Sequence, residues 1–181
     1  MKSLQKNKTK LLLNQALIEL LQEKDFEHIK LNEICEKALV HKTTFYNHFQ
    51  DKYELLNYLI KNIEKDILNK NKDIKNINEY FLNITKEFIN NIKHNSKFWT
   101  KILSNNQNGI CTNIIYNTII QDFKETMKNK VSYIPINYIS LFYVNAIFSV
   151  IIEWITTGMK DKEEDIILYI ENLLTNKYRL K

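Results

Sequence analysis

Glycine and proline are nearly missing from this chain, with two glycines and one proline in 181 residues. Most all-β folds need many tight turns, so this scarcity argues against them. The lone Pro135 leaves long stretches without a helix breaker. Two glycines cannot build a Gly-rich phosphate loop, and neither HExxH nor GxSxG occurs. Cysteine appears only as Cys35 and Cys111, far apart and in no CxxC pattern. They are read as reduced, buried structural thiols in a cytoplasm. His28, His41, His48 and His94 show no metal spacing, and a zinc site from Cys35, His41 and His48 is not expected. The composition therefore predicts no enzyme, no cofactor and no metal. The start, Met1-Lys2-Ser3-Leu4-Gln5, has no apolar core of signal-peptide type. No stretch reaches the ~18 uninterrupted apolar residues of a membrane span. Ile136 to Ile155 comes nearest, but Asn137, Ser140, Asn145, Ser149 and Glu153 break it.

What is present points to helices. Hydrophobic residues make up 44% of the chain and charged ones 26%, which fits one ordinary globular domain or two small ones. Isoleucine (27), lysine (25) and asparagine (24) dominate, a skew that reads as the codon bias of an AT-rich genome. Leu13, Ala16, Leu17, Leu20 and Leu21 share one face of a first helix over roughly 6–23. A short helix over roughly 32–39 has Asn32 as its expected N-cap, and a third follows over roughly 42–49. Asp51 opens a fourth, with Glu54 expected to reach back to the Asp51 amide. Leu56, Leu59, Ile60, Ile63 and Ile67 form its apolar stripe. The Asn/Lys-rich stretch 69–76 is the expected hinge. Beyond it come a helix carrying Ile77, Phe81, Ile84, Phe88 and Ile92, a short aromatic helix after Ser96, and a helix over 110–129. Pro135 opens a long apolar helix over 136–157, with Gly158 as its C-cap. Asp161 and Glu164 are read as a capping box for a last helix to about 178. The expectation is an all-α fold of about nine helices. The hinge would separate an N-terminal domain over 1–66 from a C-terminal domain over 74–181.

Helix 136–157 is apolar nearly all round, so it should be buried on more than one side. A second copy of the chain supplies such a side, and Ile166, Ile170, Leu173 and Leu174 extend the surface. A homodimer through the last two helices is expected.

Two short helices between longer ones, joined by about three residues, form the layout of a helix-turn-helix. In the third helix, Phe45 and Phe49 lie four apart and face inward. Lys42, Thr43, Thr44, Tyr46, Asn47 and His48 then fall on the outer side, each able to hydrogen-bond a base edge or a phosphate. Periodicity alone is equally consistent with a solvated face on a three-helix bundle.

The stretch Phe26–Leu56 resembles the TetR/AcrR family of bacterial transcriptional regulators. Ile34 and Ala38, Thr44-Phe45-Tyr46, His48-Phe49, and Lys52 with Glu54-Leu55-Leu56 carry the resemblance. It implies double-stranded DNA as partner, with Lys42, Thr43, Thr44, Tyr46, His48 and Lys52 at positions where the family touches bases or phosphates. Lys30 lies where the family often has a backbone-contacting threonine. Leu39 stands where glycine is usual in the turn, and a leucine does not easily adopt positive φ.

Residues 1–66 carry 11 Lys and 10 acids, so placement rather than bulk charge must attract DNA. Lys42 is the only cation on the reading helix, and no arginine is available for guanine. The resemblance also implies a pocket for a small-molecule effector in the C-terminal helices. Candidate liners are Phe81, Phe88, Phe98, Trp99, Phe123, Phe142, Phe148, Glu153 and Trp154, although each aromatic is equally an ordinary core residue. The expected function is a cytoplasmic DNA-binding regulator, most simply a repressor released by a ligand. A co-activator that answers to a protein partner, or a helical partner-binding module without DNA binding, are the alternatives.

Overall fold

The computed structural model describes residues 2–71, 74, 76–103, 109–128 and 133–177, with side chains from Asn7 onward. Among these residues there are nine α-helices, one short 3-10 turn and no strand. The helices are α1 (Lys2–Leu20), α2 (Leu31–Lys37), α3 (Lys42–Tyr46), α4 (Lys52–Asn71) and α5 (Ile77–His94). They continue with α6 (Ser96–Leu103), α7 (Ile110–Met127), α8 (Ile136–Thr156) and α9 (Glu163–Leu174). The 3-10 turn, Phe26–His28, precedes α2. The all-α architecture matches the one expected. Residues 72, 73 and 75 of the expected hinge, and the expected helix ends at 129 and 178, lie outside the described residues.

Several caps differ in detail. The cap position of α2 is Lys30 rather than Asn32, and Glu33 Oε2 accepts the Lys30 amide at 2.8 Å. Lys24 and that backbone amide hold the Glu33 carboxyl below its usual range. Asp51 does cap α4, with its Oδ1 accepting the amides of Tyr53 and Glu54 at 2.8 Å. Glu54, however, accepts from the Gln50 amide instead of the Asp51 amide. Lys162, not Asp161, stands at the cap of α9, and the Asp161 carbonyl accepts from Trp154 Nε1 at 2.9 Å. Thr157, not Gly158, stands at the C-cap of α8, and Gly158 follows it at φ 90°.

The chain forms two compact units. The first joins residues 1–62 to 97–114, and the second joins 63–96 to 115–181. The segment 97–114, expected within the C-terminal domain, thus packs with the N-terminal helices. The reason is its apolar content: Phe98, Trp99, Ile102, Leu103 and Cys111 are all buried. The core of the first unit also holds Leu13, Leu17, Leu21, Phe26, Ile34, Phe45 and Leu55. The second unit is built on a core of Tyr80, Phe81, Ile120, Phe123, Met127 and Val144. Within it Phe81 stacks on Tyr143 with 4.3 Å between ring centroids, and Tyr143 donates to Asn78 Oδ1 at 2.6 Å.

Within the second unit α8 shows two faces. Ser140, Val144, Ile151, Trp154 and Ile155 point into the core. Tyr138, Leu141, Phe142, Asn145, Ala146 and Ser149 are exposed. By length and composition alone α8 would suffice to cross a membrane, a property it shares with core helices of globular proteins.

Candidate functional site

The helix-turn-helix is built as its residues dictate. Phe45 and Phe49 are buried, and the Phe49 ring packs on Tyr58 of α4 at 5.5 Å. This anchors α3 by one face, as a spacing of four requires. Lys42, Thr43, Tyr46 and Asn47 are exposed on its other side, and Thr44 and His48 are half-buried at the margins. The turn ahead of α3 is closed by the Val40 amide donating to Cys35 O at 3.0 Å. That closure places Leu39 at φ 55°, with its side chain 92% exposed. The leucine therefore adopts the left-handed conformation in which glycine is usual. His41 occupies the cap position of α3 with no side-chain hydrogen bond into the helix.

The cations of this unit are sorted by their surroundings. Lys24 pairs with Glu33, and Lys37 lies 3.5 Å from both Glu19 and Glu23. Lys10 sits over the rings of Phe49 and Tyr58. Lys30 and Lys42 are exposed and make no ion pair among the described residues. The outer face of α3 and the cap position of α2 therefore keep one uncommitted cation each.

Lys52 is placed differently from the phosphate-contacting position that the resemblance implied. Its ammonium donates to the carbonyls of Phe26, Glu27 and Ile29 at 3.0, 3.0 and 3.1 Å, which engages all three protons. It also lies over the rings of Phe26 and Tyr53. Burial pulls its pKa below the ordinary lysine value, with Glu27 partly offsetting the effect. The inward turn brings the ammonium to the carbonyls of the 3-10 turn and of Ile29 after it, where Phe26 O also accepts the Ile29 amide at 3.1 Å. Sequence spacing carried no signal of this.

Glu27 gathers the neighbouring groups. Tyr53 donates its hydroxyl to Glu27 Oε2 at 3.0 Å, and the Cys111 thiol points at Glu27 Oε1 at 3.8 Å. Burial, reinforced by Glu27, pushes both Tyr53 and Cys111 up to about 12.

The second unit contains a chamber open to solvent. Glu64, Ile67 and Leu68 of α4 and Phe81, Ile84, Thr85 and Phe88 of α5 line it. So do Ile119 and Phe123 of α7 and Val144, Ile147, Phe148 and Ile151 of α8. Of the aromatic liners suggested by sequence, Phe81, Phe88, Phe123 and Phe148 are there. Phe98 and Trp99 are not, because they fill the core of the first unit. Phe142 is not, because it stands 66% exposed on the outer face of α8. Glu153 and Trp154 border a separate shallow hollow with Asp161 and Ile166, and Glu153 is exposed there.

Sequence reasoning missed two polar residues of the chamber. Glu64 sits four residues after Ile60 and three before Ile67, so a carboxylate interrupting an apolar stripe was the available signal. Thr85 lies one residue past Ile84 on α5 and had none.

Comparison with known proteins agrees with this architecture. Residues 13–59 match the family model described as bacterial regulatory proteins, tetR family. Residues 79–176 match the one described as a transcriptional regulator C-terminal region. The HTH-type dhaKLM operon transcriptional activator DhaS of Lactococcus lactis is 30% identical over 61 residues, covering 34% of this chain and 33% of DhaS. The HTH-type regulator YxbF of Bacillus subtilis is 31% identical over 55 residues, covering 30% of this chain and 14% of YxbF. The chain thus spans a third or less of the curated relatives it matches. Among solved structures, a TetR-family regulator from Syntrophomonas wolfei superposes with a TM-score of 0.71 at 16% identity, covering 94% of this chain and 95% of that one. The chain belongs to the TetR family of transcriptional regulators. Its N-terminal helices are the helix-turn-helix DNA-binding domain of that family.

Proposed function

We propose that the protein works in the cytoplasm as a homodimer that represses transcription from a palindromic operator and lets go when a small molecule enters the chamber of the second unit. The observation that carries the DNA-reading part is the division of α3. Two buried phenylalanines hold it to its bundle, while Lys42, Thr43, Tyr46 and Asn47 stand outward. Thr44, His48 and the nearby Lys30 extend that edge. A short helix presented this way fits the major groove, where its polar residues meet base edges and phosphates.

Dimerisation is supported by the outer faces of α8 and α9. Tyr138, Leu141 and Phe142 of α8 and Leu168, Tyr169 and Leu173 of α9 are exposed large hydrophobics on two helices that pack together. No charged residue occurs on α8 before Glu153. An uncharged apolar face of this kind fits a two-fold copy of itself. Ile166 and Ile170, expected on that face, are buried in the protomer's own core, so Leu168 and Tyr169 take their place. Two reading helices on such a dimer would meet half-sites about one helical turn, ~34–36 Å, apart.

Footprinting on the DNA upstream of the protein's own gene tests this reading. A protected palindrome, with two protomers bound per site by light scattering, is the expected result. Binding without sequence preference at every salt concentration would overturn it. A second reading, activation in place of repression, is favoured by the name of DhaS, an operon activator. A promoter-reporter assay with and without the protein separates the two signs.

A further inference from the structure

The chamber's chemistry narrows the ligand that would fill it, an inference that rests on the effector reading above. Its wall is apolar apart from two groups. Glu64 is 5% exposed and is the one ionisable side chain among the described lining residues. Thr85 is 1% exposed, and its Oγ1 makes no hydrogen bond. A threonine inside a helix ordinarily returns its hydroxyl to a carbonyl one turn back, as Thr126 does to Asp122 O at 2.8 Å. Thr85 does not, and a buried hydroxyl left unmade is destabilising. Thr85 and Glu64 both belong to the chamber's lining, so its few polar groups include oxygen acceptors. The rest, mainly phenylalanine and isoleucine, suits a hydrocarbon body, and the aromatic faces of Phe81, Phe88 and Phe123 suit a cation.

We propose that this chamber takes an apolar ligand bearing one protonated amine, with the amine donating to Thr85 Oγ1 and Glu64 and the hydrocarbon lying among the phenylalanines. A neutral alcohol fills the same volume without the amine's positive charge, and a carboxylate sets a second carboxyl group against Glu64.

The test uses three probes of equal chain length, namely octylamine, 1-octanol and octanoate, with the full-length protein at neutral pH. Binding is read by calorimetry, and release by gel shift on the DNA upstream of the protein's own gene. Octylamine should bind about tenfold more tightly than octanol, a difference of about 1.4 kcal/mol, and should release the DNA, while octanoate binds least. Glu64→Gln should erase the advantage of the amine over the alcohol. Thr85→Val should weaken the amine alone and, in the absence of ligand, raise the melting temperature by removing an unbonded hydroxyl. Both substitutions preserve shape, so the variants should fold. Equal binding of amine and alcohol, or tighter binding of octanoate, overturns the ligand class and leaves the effector reading standing. If none of the three binds or releases DNA, the ligand class and the effector reading fall together, while the footprinting result still stands.

Discussion

Lys101 Nζ lies 3.0 Å from Asp25 Oδ1, so α6 is ion-paired to the residue that opens the 3-10 turn ahead of α2. Both residues belong to the compact unit that carries the reading helix. The pair is partly exposed, and such pairs contribute less than about 1 kcal/mol. Lys101→Ala should therefore lower the urea-unfolding free energy only slightly. The buried Phe98, Trp99, Ile102 and Leu103 should keep α6 in place without the pair. Urea midpoints of wild type and variant check this, and a loss well above about 1 kcal/mol counts against it.

Lys42 and Lys52 are ten residues apart but face opposite ways, and salt dependence distinguishes them. A lysine that touches a phosphate releases a counterion, so removing it lowers the slope of log affinity against log salt by roughly 1 per contact. Lys42→Ala should show that drop. Lys52→Met should leave the slope as it was and instead destabilise the fold by about 2 kcal/mol, since three carbonyls lose a charged donor. Tyr46→Phe should weaken operator binding by roughly 1 kcal/mol through the loss of one hydrogen bond.

Stability should fall at alkaline pH, beginning just above pH 9. An unfolded cysteine ionises near 9.0, whereas Cys111 in the fold holds its proton to about 12. Between those values the folded state binds the extra proton, so raising the pH favours unfolding. Tyr53 and Tyr80, each pushed from 10.0 to about 12, add to the loss above pH 10. Urea midpoints at pH 8, 9.5 and 11 measure this series. In Cys111→Ala the decline just above pH 9 should be shallower, with the buried Cys35 thiol, which burial also pushes up, keeping part of it.

Phe142 is exposed in the protomer, so placing a charge there tests assembly without attacking the fold. Phe142→Glu should give a monomer by light scattering, with a circular dichroism spectrum like that of wild type. Operator affinity should drop as the second set of DNA contacts is lost. A dimer that persists would locate the interface elsewhere.

Leu39 holds a left-handed backbone and buries nothing in return. That conformation costs a leucine roughly 1–2 kcal/mol, and glycine's greater freedom in the unfolded chain offsets about 0.5–1 kcal/mol of the relief. Leu39→Gly should consequently raise stability by about 0.5 kcal/mol, visible as a higher urea midpoint. A lower midpoint would mean that the leucine makes a stabilising contact.

The reading helix was legible in its polar edge but not in its length, since α3 ends at Tyr46 and Asn47, His48 and Phe49 follow it outside the helix expected over 42–49. A spacing of four between Phe45 and Phe49 can only mean one inward face, and that leaves Lys42, Thr43, Tyr46 and Asn47 outward. The chamber was legible only by half. Phe81 and Phe88 were readable from their helical stripe, but Phe98 and Trp99 carry the same apolar pattern and fill another unit. Apolar periodicity says that a side chain is buried and not against what. Lys52 escaped for a related reason, since a lysine at a helix start reads the same whether it faces phosphate or three backbone carbonyls.

Local patterning alone determined that this chain is helical, where most of its helices run, and which edge of α3 is polar, because those properties depend on spacings of three and four within single segments. The three-dimensional arrangement decided the rest. It drew 97–114 to the N-terminal helices, turned Lys52 inward, stood Phe142 in solvent, and set Glu64 and Thr85 in one apolar wall. Those outcomes depend on which distant segments meet, and that is a property of packing between elements that no single stretch of sequence contains.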